Sequence, residues 1–281
     1  MQGGGVHGAF GWGVLDRLLE TGMTFDRVCG VSSGALTATM LVQGMVKGGP
    51  AGARAELRRL WEGLGTPAVM GGWEVPGWDL GANLVWQGME AALRMFSPSQ
   101  LNPFGHNPMR GTIAGLLDRA ALADPTAMAL TVAATEVSSG AAVFWGNREI
   151  DVDVLLASSC LPFVFHAVEI GGRAFWDGGY SGNPPLAPLL RPSPPDQLVL
   201  IRAQPRVRPG VPQTPAEILN RVNEIACNTM LHAELDALPA SVRVVEHDAD
   251  AALAELPLSS KYNADGAALQ RLFAAGRAAV G

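Results

Sequence analysis

The stretch Gly30-Val31-Ser32-Ser33-Gly34 constrains this chain more than any other. It follows the short apolar run Val28-Cys29, and residues 36–46 after it are mostly apolar with good helix formers, so the local reading is strand, sharp turn, helix. In so tight a turn a side chain at either flank collides with neighbouring backbone. Gly30 and Gly34 are therefore the residues that let Ser32 stand proud of it. Ser32 then lies at a helix N-terminus, where unpaired N–H groups and the positive end of the macrodipole favour a developing alkoxide. Alone, a G-x-S-x-G pattern says little, because loops collect both residues.

Two further stretches sharpen it. Gly3-Gly4-Gly5-Val6-His7-Gly8 precedes a helical pattern that puts Phe10, Val14, Leu15, Leu18 and Leu19 on one face and Gly22 at the C-terminal cap. Consecutive glycines before a helix expose several backbone N–H groups, and such a concavity stabilises negative charge. Asp177-Gly178-Gly179 follows the apolar run Ala174-Phe175-Trp176. A carboxylate at a strand end, backed by glycines, can approach another loop closely, and burial beside Phe175 and Trp176 would raise its affinity for a proton.

In this order, with a helix after each of the first two, the three stretches resemble the patatin-like phospholipase family, which carries a G-G-G-x-x-G oxyanion loop, a G-x-S-x-G nucleophile elbow and a D-G-G or D-G-A motif. Ser159-Cys160-Leu161-Pro162 and Asn183-Pro184-Pro185-Leu186 resemble the family's surroundings of the last motif. The resemblance covers most of the chain. It implies a Ser-Asp dyad, with Ser32 as nucleophile and Asp177 as its partner, and Gly4, Gly5 and Val6 as oxyanion N–H donors. Gly3 and Gly8 complete the glycine loop, Gly30 and Gly34 the elbow, and Gly178 and Gly179 the third motif. The implied activity is hydrolysis of lipid or other carboxylic acyl esters through an acyl-enzyme, without metal or organic cofactor. The family runs a buried strand into its glycine loop, whereas only Met1 and Gln2 precede it here. The expectation is that the true start lies upstream, or that a neighbouring strand is left with unpaired backbone groups.

At 281 residues the chain can form one large domain, residues 1–281, which the convergence of three motifs requires. Strand patterns at 129–134, 142–145, 164–170, 198–201 and 242–245 are separated by helical ones at 152–160 and 215–238, with a closing helix at 263–280. Gly171-Gly172 reads as a hairpin turn leading back to Asp177. This predicts an α/β fold, a three-layer, doubly wound, mostly parallel sheet flanked by helices, with the motifs at the carboxyl ends of its strands. Gly48-Gly49-Pro50 should break the elbow helix from a further one at 51–64. Residues 65–109, with Met70, Trp73, Trp78, Trp86, Met89, Met95 and Phe96 among several prolines, read as a helical and loop insertion over the sheet. Satellite core and a greasy cap that admits an acyl chain or touches a bilayer surface both stay open.

Hydrophobic residues make up 48% and charged ones 16%, yet no uninterrupted apolar run reaches the roughly 18 residues of a spanning helix. A net charge of −6 argues against nucleic-acid binding, and Arg54, Arg58 and Arg59 beside Glu56 read as a solvated helix face. Cys29, Cys160 and Cys227 form no C-x-x-C pair and sit in apolar contexts, which suits buried thiols in a reducing, cytoplasmic compartment, with membrane-surface contact as an option. A glycine loop starting at Gly3 leaves no room for a signal peptide.

Rival readings attach to particular residues. Ser33 reads as packing locally. His232 and His247 follow Asp177 as a triad histidine would, but neither has a glycine-flanked loop context. His7 could orient the oxyanion loop, meet a polar head group, or be solvated. Gly3, Gly5 and Gly8 also satisfy G-x-G-x-x-G, with Asp26 near the spacing of a ribose ligand. That dinucleotide reading lacks its preceding strand and explains neither Ser32 nor Asp177. A non-catalytic lipid-binding protein or an acyltransferase on the same fold is the remaining alternative.

Overall fold

The glycine loop closes into a 3-10 turn, Gly5–Gly8, that runs straight into helix α1 (Ala9–Glu20). Phe10, Val14, Leu15, Leu18 and Leu19 fall on its inner face, and Leu18, the least buried of them, is 4% exposed. The helix stops where Gly22 takes a φ of +83°. Its N–H donates to Leu19 O at 3.1 Å and that of Met23 to Leu18 O at 3.0 Å, which satisfies carbonyls that the last turn would leave bare. Strand β1 (Arg27–Gly30) then feeds the elbow, and α2 (Ser33–Leu64) leaves it. Gly48 and Gly49 depart from helical φ/ψ ahead of Pro50, so α2 is two segments joined at the expected break.

This is a computed structural model, and it describes residues 1–65, 88, 92, 95–254, 256, 258–262 and 264–281. Met70, Trp73, Trp78, Trp86 and Met89 of the expected cap lie outside the described residues. Met95 and Phe96 are exposed. The other main elements are α3 (Met109–Leu116), β2 (Ala129–Glu136), β3 (Ala142–Gly146), α4 (Val152–Ser158), β4 (Val168–Ile170), β5 (Arg173–Asp177), β6 (Gln197–Arg202), α5 (Pro215–Asp236), β7 (Arg243–Asp248) and α6 (Gly266–Ala278).

The class is α/β, but the sheet is mixed where a mostly parallel one was expected. β1 runs parallel to β2, whereas β3, β4 and β5 all join by antiparallel ladders. The connections decide this. Residues 137–141 between β2 and β3, and Gly171-Gly172 between β4 and β5, are too short for the crossover that a parallel pair needs. Among the described residues, only β6 and β7, joined through α5, form a second parallel pair.

One consequence of the register sets up everything that follows. β3 occupies one edge of β2 along residues 131–135. On the opposite edge β1 pairs with 129–132 and β5, running the other way, with 134–136. The carboxyl ends of β1 and β5 therefore meet head to head beside Ala133. Residues 1 and 2 lie between β1 and β6: the Met1 amine donates to Cys29 O at 2.8 Å and the Gln2 N–H to Ile201 O at 3.0 Å.

Helices α1 and α6 cross with almost nothing between their backbones. A Cβ on Gly13 would lie 2.0 Å from Phe273 O, and one on Gly276 2.0 Å from Phe10 O. Asp16, 2% exposed, ties the crossing to α2 by accepting from Arg54 at 2.7 Å and from Arg277. Arg54 is thus a structural partner rather than part of a solvated face. Among the described residues no helix is long and apolar enough to cross a membrane, and the three cysteines are unpaired and buried.

Candidate active site

Ser32 stands at the tip of the turn between β1 and α2 with φ +55° and ψ −133°. Among the described residues it is the one non-glycine with positive φ, a conformation worth about 1–3 kcal/mol of local strain. It is held there. Its N–H lies 3.0 Å from both the carbonyl and the hydroxyl oxygen of Ser158, and Ser158 in turn donates to Ala133 O at 2.7 Å. The flanks leave no room for side chains: a Cβ on Gly30 would lie 2.4 Å from Gly34 O, and one on Gly34 2.6 Å from Met1 O.

Asp177 ends β5 directly across the gap, and is 5% exposed. Its N–H donates to Cys160 O at 2.8 Å, and its Oδ1 accepts the Gly179 N–H at 2.8 Å. The Ser32 hydroxyl faces the same carboxyl group and favours its ionised form. Burial pushes the Asp177 pKa up from its ordinary 3.8 to about 6, against the Gly179 N–H and the Ser32 hydroxyl, which favour the ionised form. Gly178 makes the approach possible, because a Cβ there would lie 2.3 Å from Ala133 O and 2.8 Å from Val31 Cγ1. Two residues 145 positions apart are thus brought together by the head-to-head strand ends.

The glycine loop lies against the serine. Gly3 packs on Ser32 so closely that a Cβ would sit 2.6 Å from Ser32 Cβ. Asn183 brackets Gly3, its Oδ1 accepting the Gly3 N–H at 2.7 Å and its Nδ2 donating to Gly3 O at 3.2 Å. The Gly4 N–H donates to Ser33 Oγ at 3.2 Å, so of the three expected donors Gly4 is already engaged. Gly5 and Val6 open the 3-10 turn, where N–H groups have no acceptor within the turn itself. Gly5 is also the exposed member of residues 1–10. Gly8 is buried against Ser33 and Trp61.

His7 is neither solvated nor available to a head group. It is 0% exposed, its Nε2 lies 2.7 Å from Ser260 Oγ, and burial, then Lys261 and Arg208, hold its pKa well below the ordinary value. His232 is exposed on α5, and His247 bonds the Ala279 carbonyl at 3.1 Å. Among the described residues no histidine bonds Asp177. Asp26 precedes β1, at the end away from the glycine loop, where it cannot serve a ligand held by those glycines. Ser158, Asn183 and Ser260 were not singled out by residue type. The first two sit in or beside stretches that carried the resemblance, whereas nothing local marks Ser260.

A family model described as Patatin-like phospholipase matches residues 1–190. No curated protein matches the chain.

Proposed function

The chain belongs to the patatin-like phospholipase family, whose members are lipid acyl hydrolases, and on that premise we propose that it cleaves carboxylic acyl esters through Ser32 and Asp177. The observation that carries this reading is the placing of Ser32, at φ +55° on the elbow, against a buried Asp177 whose pKa stands at about 6.

A serine hydroxyl needs a base to become a nucleophile. An ordinary aspartate, near 3.9, is a weak one, and a carboxylate raised towards the working pH is better matched to the task. Asp177 takes the Ser32 proton as the oxygen attacks the ester carbonyl, and the N–H groups of Gly5 and Val6 receive the oxyanion. Collapse expels the alcohol, which leaves with the proton from Asp177, and Ser32 carries the acyl group. Water then gives a proton to Asp177 and attacks the acyl carbonyl. The second tetrahedral species expels Ser32, which regains that proton, and releases the acid. Residues 1–281 act as one domain in this reading, the substrate is a lipid or acyl ester, and three buried thiols suit a reducing, cytoplasmic setting.

Turnover of p-nitrophenyl acyl esters, with labelling by a fluorophosphonate, tests it. Ser32→Ala should lose both, and His232→Ala and His247→Ala should keep both. Full activity in Ser32→Ala would overturn the mechanism; loss in a histidine variant with retention in Asp177→Asn would replace the dyad by a triad.

A further inference from the structure

Beyond residue 190 the chain supplies contacts to the glycine loop that the matched family region does not contain. Behind Gly5, at φ +60°, lies the Lys261 carbonyl, 2.6 Å from where a Cβ would stand. Two residues on, His7 Nε2 meets Ser260 Oγ at 2.7 Å, with both side chains fully buried. Residues 260 and 261 belong to one 3-10 turn, Leu258–Tyr262, so a single short segment backs the loop at two points on either side of Val6.

That segment is itself anchored by a charge cluster around Glu224, a buried residue of α5. Lys261 Nζ donates to Asn220 Oδ1 at 2.6 Å and lies 3.7 Å from Glu224 Oε1. Glu224, 0% exposed, also accepts from Arg208 at 3.0 Å and Arg221 at 3.3 Å, and Arg208 donates to Leu256 O at 3.1 Å just ahead of the turn. Apolar packing could hold the turn without burying the Glu224 carboxylate among three part-buried cations, and the best-attested use of such buried charge is to fix register. The need for register is plain at the other end. A run of glycines has the largest backbone freedom of any sequence, yet amides that receive an oxyanion act only when aimed within a fraction of an ångström.

We propose that the Leu258–Tyr262 turn is a latch that holds Gly5 and Val6 in their oxyanion-binding geometry, with Ser260 and His7 as positioning residues and Glu224 as the anchor. The inference rests on the role given above to Gly5 and Val6. Ser260 touches no reacting atom, so its loss should weaken the transition state and leave ground-state binding alone.

The experiment compares wild type, Ser260→Ala, Ser260→Thr and Glu224→Gln for kcat and KM on a soluble p-nitrophenyl ester. It adds the inhibition constant of an alkyl boronic acid, which captures Ser32 as a tetrahedral adduct, and thermal melting. Ser260→Ala should lower kcat by about 10–100-fold, weaken the boronic acid by the same factor and leave KM unchanged; Ser260→Thr, which keeps the hydroxyl, should restore both. If Ser260→Ala folds poorly, Glu224→Gln should give the same paired loss in smaller measure. Wild-type kcat in the folded variant, or a fall in kcat with unchanged boronic acid affinity, would overturn the latch. Ser32→Ala run alongside separates the two ideas, since turnover without Ser32 would defeat the active-site reading instead.

Discussion

Asp177→Asn removes an ionisable group that burial holds at a pKa of about 6 against an ordinary 3.8. Because the folded protein binds this proton more tightly than the unfolded chain, unfolding releases it between those two values, and stability must fall as the pH rises through that window. The contribution is complete below about pH 4, is lost as the pH rises from there through about 6, and is flat above. At about 1.4 kcal/mol for each tenfold change in the proton equilibrium, the difference amounts to about 3 kcal/mol. Asparagine pays nothing of the kind and can still accept the Gly179 N–H. Urea denaturation of wild type and Asp177→Asn should therefore show little difference near pH 4 and a variant more stable by up to about 3 kcal/mol at about pH 7.5. Turnover should move the opposite way: the variant is inactive throughout, and wild-type kcat/KM falls about tenfold per pH unit below about 6. A stability gap that is the same at both pH values, or an acid limb near 4, would refute the reasoning.

Gly178→Ala would put a methyl group 2.3 Å from Ala133 O and 2.8 Å from Val31 Cγ1, forcing the end of β5 away from β2 and the elbow, and should destabilise by about 1–3 kcal/mol while lowering turnover; wild-type melting would show that these segments do not meet so closely. Asp16→Asn takes the buried partner from Arg54 and Arg277, which are 34% and 29% exposed, and should lower stability by about 1–3 kcal/mol in denaturant titration. A loss under about 0.5 kcal/mol would mean that solvent already screens these pairs.

What could be read from the chain alone was what steric necessity writes into neighbouring residues. The elbow around Ser32 is forced by backbone crowding between Gly30 and Gly34, and the break at Gly48-Gly49 by Pro50 beside a positive φ; the glycine loop shows in its composition, while what crowds it, Ser32, Ala203 and Lys261, lies far along the chain. The strand directions were less legible, because apolar alternation at 142–145 or 164–170 is the same whichever way a strand is paired; only the shortness of the 137–141 and 171–172 connections decides. The partners of the glycine loop were hidden for another reason. Asn183, Ser33 and Ser260 are small polar residues of the kind found in any loop, and their importance comes from contacts made across 29 to 253 positions of sequence. His7 was ambiguous for the same reason: a histidine among glycines can orient the loop, meet a head group or be solvated, and only the distant turn that closes over it removes the last two.

The crossing of α1 and α6 bears on how the molecule is made. Gly13 and Gly276 let two backbones touch, so the groove that α1 offers fits a helix encoded more than 240 residues downstream. Until that partner has left the ribosome, the apolar stripe beginning at Phe10 lacks part of its cover, and the glycine loop directly ahead of it has only its contacts with earlier residues such as Ser33 and Asn183. On the mechanism proposed above, the nascent chain therefore carries Ser32 long before it can assemble all of the surroundings that the serine needs.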